Sequence, residues 1–140
     1  TDDAFDLRLG YDGLEVTLAA GMLRRQPRPH FALHGTLGSY VKSGLDPQEA
    51  ALKAGAWPGA EGWGAEPAAQ WGVLDAHLNG LHFQGQIETL RGNYPAFYAN
   101  VVAAIGRGEA LAVTAVQARD VIRLLETAVQ SHQEQRTIVL

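Results

Sequence analysis

The chain has no cysteine among its 140 residues, which excludes a disulfide framework, a thiolate metal site and a cysteine nucleophile. Positive charge is also scarce. No basic run is longer than Arg24-Arg25, and 11 basic against 15 acidic residues leave a net charge of −4. Nucleic acids and anionic membranes are normally met by a concentrated positive field, so neither is an expected partner.

Long apolar runs are missing as well. No stretch approaches the roughly 20 residues of a membrane span, and no signal-peptide pattern opens the chain. We therefore expect a cytoplasmic location. The composition, 46% hydrophobic and 19% charged, is typical of a folded globular protein. The length suits one domain. Because Thr1 is not a methionine and a strand pattern is under way by Phe5, we expect residues 1–140 to be a single domain of a longer protein.

Strands and tight turns dominate the first half of the chain. Apolar and polar residues alternate on both sides of Asp12-Gly13 and again around Asn79-Gly80. Both dipeptides favour two-residue hairpin turns. Two more strands are predicted on either side of Gly35-Thr36-Leu37-Gly38. The apolar residues at 137–140 predict a last edge strand.

Three helices are predicted between and after these strands. Asp46, Pro47 and Glu49 are typical of a capped helix start, with Gly55 as the stop. Asn93 begins a second helix, which we expect to end at Gly106. A third helix starts from a capping box of Thr114 and Gln117 and runs to about Glu134. Between the first two, we expect an ordered loop pinned by Trp57, Trp63 and Trp71.

Antiparallel hairpins followed by helices indicate an α+β fold. We expect an open, mostly antiparallel sheet with helices packed on one face. The other face is predicted to be polar. Its expected residues are Arg8, Glu15, His30, Ala32, His34, His82, Gln84, Gln86 and Glu88.

No catalytic constellation stands out. The glycines Gly59, Gly62 and Gly64 lack the spacing and the preceding strand of a dinucleotide fingerprint. Asp46, Asp75 and Glu88 form no obvious general acid and base pair. The sequence therefore predicts no catalytic, cofactor-binding or metal-binding residue.

Five histidines raise the alternative of a metal site. His30 and His34 share one face of a predicted strand, and His77 and His82 flank the Asn79-Gly80 turn. However, no cysteine or carboxylate cluster completes a ligand set. Polar histidines on a sheet face are the interpretation that we favour over a small metalloenzyme.

Few residues are candidates for contact with a substrate. Arg24 and Arg25 follow the second strand in a loop where an anionic or polyol ligand is conceivable, although a solvated loop end is the commoner explanation. Tyr94 belongs to the apolar stripe of a helix, where core packing is the default and a hydroxyl in a pocket is the alternative.

Several segments resemble the Gfo/Idh/MocA oxidoreductases, named for glucose–fructose oxidoreductase and inositol dehydrogenase. The likeness covers most of the chain, from about Phe5 to Leu140, and five motifs occur in the family's order. They are FALHGTLGSYVK at 31–42, GLDPQEA at 44–50, the Trp-Gly pairs at 63–64 and 71–72, GNYPAFYAN at 92–100, and VTAVQARDV at 113–121 with the ending TIVL.

The resemblance implies the C-terminal domain of an enzyme whose N-terminal Rossmann domain binds NAD or NADP. Such enzymes move hydride between the nicotinamide and a sugar, polyol or related substrate, and the exposed sheet face commonly forms a dimer. The family's dinucleotide motif, its Glu-Lys-Pro segment with the catalytic lysine and its Gly…Asp…His segment have no counterpart here. No catalytic residue is therefore carried over.

On this basis the chain alone is expected to be inactive and to supply a substrate-side scaffold and a dimer interface. The missing Rossmann domain and a second copy are the expected partners. Candidate substrate-lining residues are Arg24, Arg25 and Tyr94. Candidate dimer-face residues are His30, His34, His82, Gln84 and Gln86. The alternative is a stand-alone binding or assembly module without catalysis.

Overall fold

The computed structural model describes residues 3–140, which divide into two compact units. The first contains the residues up to 26 together with 111–140, and the second contains residues 27–110. In chain order the elements are β1 (Ala4–Tyr11), β2 (Leu14–Gly21), β3 (Phe31–Gly35), β4 (Gly38–Lys42), α1 (Gln48–Lys53), a 3₁₀ turn (Ala68–Gln70), β5 (Gly72–Leu78), β6 (Leu81–Ile87), α2 (Tyr94–Arg107) and α3 (Ala115–Glu134).

The first unit combines a hairpin with the longest helix. β1 and β2 pair antiparallel around Asp12-Gly13, where Gly13 takes the positive φ of 71° that a tight turn needs. α3 begins at Thr114, whose side chain and that of Gln117 form the reciprocal capping box. The predicted hairpin, capping box and end of α3 at Glu134 are confirmed.

The second unit is built on a four-stranded antiparallel sheet in the order β3-β4-β5-β6. Asn79 and Gly80 both have positive φ, as expected for the turn between β5 and β6. The α+β class and the antiparallel pairing are thus confirmed. The strands form two sheets, of two and four strands, and each belongs to its own unit.

The four-stranded sheet separates apolar from polar side chains because successive residues of a strand point to opposite faces. The register places Leu33 beside Tyr40, Tyr40 beside Leu74, and Ala76 beside Phe83 on one face. The opposite face, called the polar face below, carries His34, Ser39, Asp75, His77, His82, Gln84 and Gln86, together with Ala32, Val41 and Val73 toward one end.

Four local predictions are wrong. Residues 137–140 form no strand; Thr137, Ile138 and Leu140 instead line a small cavity with β1 and α3, because a short apolar run does not distinguish a strand from a packed tail. Glu49 forms no capping box, since its carboxylate forms an ion pair with the ammonium of Lys53 at 2.6 Å. α2 continues past Gly106 to Arg107, and Gly108 takes the left-handed conformation that ends it. Trp57 is 79% exposed, so it does not pin its loop.

Candidate functional site

A row of hydrogen-bonded side chains crosses the polar face. His34 Nδ1 lies 2.9 Å from the hydroxyl of Ser39. On the next two strands, the carboxylate of Asp75 accepts from Gln84 Nε2 at 3.1 Å and lies 2.9 Å from His82 Nε2. Since His34, His82 and Gln84 are exposed and Ser39 and Asp75 are half-buried, the face is ordered by its own contacts and remains open to a partner or to solvent.

The remaining dimer-face candidates lie at the margin of this row. His30 precedes β3 and contacts the carbonyl oxygen of Ser43 at 2.6 Å. Gln86 donates to the carbonyl of Ala68 at 3.2 Å. The structure thus places His30, His34, His82, Gln84 and Gln86 in the second unit. Arg8 and Glu15, expected on the same face, belong to the two-stranded sheet of the first unit.

His77 and His82 face each other at the β5–β6 turn, with ring centroids 4.8 Å apart and nearly parallel planes. This is the proximity expected from their positions beside Asn79-Gly80. Within residues 3–140, no group of three or more His, Asp or Glu side chains is arranged to hold a metal ion. The pair is therefore a stacked contact between neighbouring strands.

A groove of about 870 Å³ opens at one end of this sheet, beside α1. Val41, Val73 and Trp71 contribute apolar side chains, and Glu49 and Lys53 of α1 contribute charged ones. An apolar wall beside a charged rim suits a ligand or chain segment of mixed polarity.

Gln48, the first residue of α1, is the only described residue whose side chain is large and fully buried. Its Nε2 donates to both carboxylate oxygens of Asp46, at 3.1 and 2.9 Å. Its Oε1 accepts from the indole of Trp63 at 2.8 Å and from the backbone N–H of Tyr94 at 2.9 Å. One amide therefore ties together α1, the tryptophan loop and the start of α2.

A buried ion pair lies at the end of β4. Lys42 follows Tyr40 on the apolar face, and its ammonium pairs with the carboxylate of Glu66. The two side chains are 8% and 2% exposed. Lys42 Nζ also donates to the carbonyl of Gln70 and to the hydroxyl of Thr89, each at 3.0 Å. Its three protons thus have three acceptors.

Burial alone would raise the pKa of Glu66, because removal from water penalises the carboxylate. Hydrogen bonds from Lys42 and Thr89, with the charge of the ammonium, outweigh that effect and hold the pKa below its ordinary value. Glu66 is therefore ionised at neutral pH. One of its oxygens, Oε1, is buried and has no hydrogen-bond partner in the described part of the chain.

The three substrate-lining candidates are divided between the two units. Arg24 belongs to the first unit, where it lies 3.5 Å from the carboxylate of Asp6, and Arg25 is its neighbour. Tyr94 belongs to the second unit and is engaged through its backbone N–H, with its side chain 42% exposed. These assignments stay predictions.

Gln48, Lys42 and Glu66 were not singled out from the sequence. A signal existed for Lys42. It lies two residues after Tyr40 and therefore on the same face of β4, the apolar face that Tyr40 shares with Leu33. A charged group on an apolar face needs a partner. Neither Gln48 nor Glu66 carried such a signal, because the contacts that bury them involve residues 15 to 46 positions away, Trp63 and Tyr94 for Gln48 and Lys42 for Glu66.

Large apolar side chains of both long helices are exposed. On α2 they repeat at helical spacing, and the same is true of α3. The exposed residues on α2 are Phe97, Tyr98, Val102 and Ile105, and those on α3 are Val121, Ile122, Leu125 and Val129, each between 55% and 84% exposed. Each of the two helices thus exposes several large apolar side chains. No helix within residues 3–140 has both the length and the apolar character needed to cross a membrane.

Comparison with known proteins identifies the fold. Residues 2–140 match the family described as "Oxidoreductase family, C-terminal alpha/beta domain", that of Gfo/Idh/MocA. The chain belongs to the Gfo/Idh/MocA oxidoreductase family. The predicted resemblance is thus confirmed over almost the whole sequence.

Similar Gfo/Idh/MocA proteins are longer. IolW of Bacillus subtilis, a scyllo-inositol 2-dehydrogenase (NADP(+)), is 36% identical over 140 residues, which are 100% of this chain and 39% of that protein. The oxidoreductase YdgJ of Escherichia coli is 36% identical over 138 residues, 99% of this chain and 39% of its own. The chain therefore spans about two fifths of the length of these curated relatives.

Solved structures of oxidoreductases share the same architecture. YvaA from Bacillus subtilis superposes with a TM-score of 0.93 at 36% identity, covering 99% of this chain and 40% of that one. An oxidoreductase from Bacteroides fragilis gives a TM-score of 0.91 at 41% identity, covering 99% and 42%. At this identity the likeness extends beyond the fold class.

The residues described here do not fit a Gfo/Idh/MocA dinucleotide site. Gly59, Gly62 and Gly64 lie in the loop between α1 and the 3₁₀ turn, without the strand-to-helix junction that brings backbone N–H groups to a pyrophosphate. A Cβ at Gly64 would strike the carbonyl oxygen of Gly92, so this glycine serves a close backbone contact.

Proposed function

We propose that this chain is the C-terminal, substrate-side and dimerisation domain of a longer NAD(P)-dependent oxidoreductase acting on a sugar, polyol or related compound. The observation that carries the proposal is the family match over residues 2–140, combined with coverage of only 39% of the relative IolW. IolW is a scyllo-inositol 2-dehydrogenase that uses NADP(+), which supports the polyol class and the nicotinamide cofactor.

The N-terminal Rossmann domain is the partner that we propose for the exposed helix faces. Phe97, Tyr98 and Ile105 on α2 are 56%, 68% and 84% exposed, which is costly for a chain that functions alone. The additional length of the relatives supplies a polypeptide to cover this surface. In this arrangement the cofactor site and the proton-transfer residues belong to the other domain, and the present chain binds and orients the substrate.

The polar face is our proposed homodimer interface. Its donors and acceptors are exposed, and it includes both histidine and glutamine donors and the Asp75 carboxylate. A surface with both kinds of group is able to complement itself across a two-fold axis. The cytoplasmic location stays a prediction.

The decisive experiment uses the polypeptide encoded by the natural reading frame that contains these 140 residues. We expect it to reduce NAD or NADP with at least one compound of a panel of inositols, sugars and polyols, followed by absorbance of the reduced nicotinamide. The matched control is the 140-residue chain itself, which we expect to give no turnover and no fluorescence change with NADH or NADPH. Tight NADH binding by the chain alone would contradict the assignment. A natural polypeptide that starts and stops at these residues would favour a stand-alone module.

A further inference from the structure

The chain has three asparagines, Asn79, Asn93 and Asn100, and the fold places them in different surroundings. Asn79 lies in the turn between β5 and β6, beyond the last paired residues of the two strands. Asn79 and Gly80 are both exposed. Within residues 3–140 the side chain of Asn79 makes no hydrogen bond. Its carboxamide is therefore open to solvent and to its own main chain.

The backbone nitrogen of Gly80 is equally unprotected. Its N–H donates no hydrogen bond in the described part of the chain. When the backbone nitrogen after an asparagine attacks the side-chain carbonyl carbon, a five-membered imide ring closes, and a side chain on the attacking residue hinders that step. Gly80 has no side chain, and even an added Cβ would meet no atom within 4 Å. Neither crowding nor a hydrogen bond therefore opposes the attack.

Ring closure also requires the main chain at 79 to leave its turn conformation. Asn79 has a φ of 51°, in the left-handed region that is unfavourable for a residue with a Cβ. β6, which follows the turn, is an edge strand of its sheet. Exposed turns of this kind open locally at a low cost in free energy. The reactive conformation is therefore accessible without global unfolding.

Asn93 is held at both reacting groups. Its side-chain oxygen accepts from the backbone N–H of Ala96 at 3.1 Å, as the N-cap of α2. The nitrogen that would attack it belongs to Tyr94, whose N–H donates to the buried side chain of Gln48 at 2.9 Å. Ring closure at Asn93 would break both hydrogen bonds.

Asn100 is held by its helix. Asn100 and Val101 lie inside α2, where each backbone N–H donates to a carbonyl one turn earlier. The side-chain nitrogen of Asn100 also donates to the carbonyl of Ala110 at 2.9 Å. Val101 is β-branched, which crowds the attacking nitrogen. Of the three asparagines, the fold thus leaves Asn79 ready to react.

We propose that Asn79 is a site of spontaneous deamidation in the folded protein. The nitrogen of Gly80 bonds to the side-chain carbonyl carbon of Asn79, the bond from that carbon to the side-chain nitrogen breaks, and ammonia leaves with the amide proton of Gly80. Water then opens the cyclic imide at either carbonyl, which gives an aspartyl or an isoaspartyl residue at position 79. No oxidant, reductant or cofactor takes part, so the proposal is independent of the oxidoreductase assignment.

The isoaspartyl product would change one end of the polar face. It inserts an extra carbon into the main chain of a turn with only two residues between paired strands. It also adds a carboxylate within three residues of His77 and His82, whose rings are stacked at 4.8 Å. We expect this stacking and the pairing next to the turn to be lost, which would shift the NMR signals of both imidazoles.

The test compares the full polypeptide that contains this chain in native buffer and in guanidinium chloride, at the same mildly alkaline pH. Peptide mapping by mass spectrometry measures conversion at each asparagine, and isoaspartyl methyltransferase with labelled S-adenosylmethionine measures the isoaspartyl fraction. In native buffer we expect conversion at Asn79 to be roughly tenfold or more faster than at Asn93 and Asn100, the factor that one hydrogen bond broken on the path is worth. Guanidinium chloride should accelerate Asn93 and Asn100 and change the rate at Asn79 by less than about tenfold.

Two variants and an internal reference assign the reaction. Asn79→Gly keeps residues suited to the turn and should abolish the mass gain of the peptide that contains this turn. Asn100→Gln is the control and should leave the rate at Asn79 unchanged. Asp12-Gly13 forms the corresponding turn of the β1–β2 hairpin, but its side chain is already a carboxylate. It has no ammonia to lose, so its peptide should show no mass change.

Three results would overturn the proposal. The first is equal conversion of all three asparagines in native buffer. The second is a rate at Asn79 that the fold suppresses by more than about tenfold relative to guanidinium chloride. The third is a mass gain of the turn peptide that persists in Asn79→Gly.

Discussion

The side-chain oxygen of Gln48 accepts a hydrogen bond from the indole nitrogen of Trp63 at 2.8 Å, across 15 residues of sequence. Gln48 is 0% exposed, so this contact is protected from competition with water. The same amide also holds Asp46 and the backbone N–H of Tyr94. The Gln48–Trp63 contact is therefore one of the buried contacts that hold the loop from 56 to 70, together with the ion pair of Lys42 and Glu66.

Replacement of that glutamine should destabilise the second unit. Gln48→Met keeps a similar volume but leaves the indole of Trp63 and the N–H of Tyr94 without an acceptor. We expect the free energy of unfolding to fall by about 2–4 kcal/mol, because each stranded buried group costs about 1–3 kcal/mol. Urea denaturation followed by circular dichroism measures the change. Gln130→Met, on an exposed turn of α3, should change it by less than about 0.5 kcal/mol.

The buried ion pair should respond differently to one substitution than to two. Lys42→Met removes the ammonium and leaves a buried carboxylate, for which we expect a loss of about 3–5 kcal/mol. When Lys42→Met is combined with Glu66→Leu, much of that loss should be recovered, since no buried charge remains. Denaturation of the unchanged protein, the two single variants and the double variant gives the coupling free energy between Lys42 and Glu66. A double variant less stable than Lys42→Met alone would contradict our account of the pair.

Stability at acid pH should depend on Glu66. The pKa of this carboxyl is lower in the folded protein than its ordinary value of 4.5. Its contribution is therefore complete above that ordinary value and is lost as the pH falls through the lower, folded-state pKa. We expect Glu66→Gln to flatten the decline in unfolding free energy below about pH 4.5.

The exposed pair of Glu49 and Lys53 is the control for this pH effect. A hydrogen bond from Lys53 likewise lowers the pKa of Glu49, but both side chains are open to solvent. Screening by solvent makes such pairs weak. We therefore expect Glu49→Gln to leave the decline of the unfolding free energy at acid pH nearly unchanged. Parallel pH-dependent urea titrations compare the two variants, and an equal flattening by both would argue against a special role of Glu66.

The two glycines of the β3–β4 hairpin should differ in their tolerance of alanine. A Cβ at Gly38 would lie 2.5 Å from the carbonyl oxygen of Asp75 and 2.7 Å from the Cα of Ala76, whereas one at Gly35 would meet only the carbonyl of Gly38, at 3.7 Å. We expect Gly38→Ala to cost about 1–3 kcal/mol, because the neighbouring backbone must move. Gly35→Ala should stay within about 0.5 kcal/mol of the unchanged protein. Thermal denaturation distinguishes them.

A charge placed on the polar face should weaken the proposed dimer. Ala32 is exposed and is paired with Val41 of β4; Ala32→Glu adds a desolvated carboxylate to each copy of a two-fold interface. Sedimentation equilibrium should show a dimer for the unchanged polypeptide and for Gln133→Glu on exposed α3, and a shift toward monomer for Ala32→Glu. A monomer at tens of micromolar in every case would contradict the interface.

Local signals were sufficient for most elements of the fold. Asn79-Gly80, Asp12-Gly13 and the box of Thr114 and Gln117 each fix a turn or a helix start within four residues, and all three are confirmed. The errors occur where a local signal competes with a nearby alternative. Glu49 illustrates this, because Lys53 one turn later offers a charged partner that a backbone N–H does not match.

The candidate site was less predictable for a physical reason. The partners of Lys42 lie 24 to 47 residues away, at Glu66, Gln70 and Thr89. Such contacts are produced by packing of segments, and no spacing along the chain encodes them. The histidines of the polar face were found because alternation along a strand does encode a face.

The division of the chain into units has a consequence for its synthesis. The second unit is one continuous segment, residues 27–110, whereas the first needs residues up to 26 together with 111–140. A ribosome therefore releases everything that the four-stranded sheet requires before it has made α3. The β1–β2 hairpin can pair locally, but its unit is completed only after residues 111–140 have been made and a long loop has closed. Pulse-labelled hydrogen exchange on nascent chains should show protection of β4 and β5 first and of β1 last.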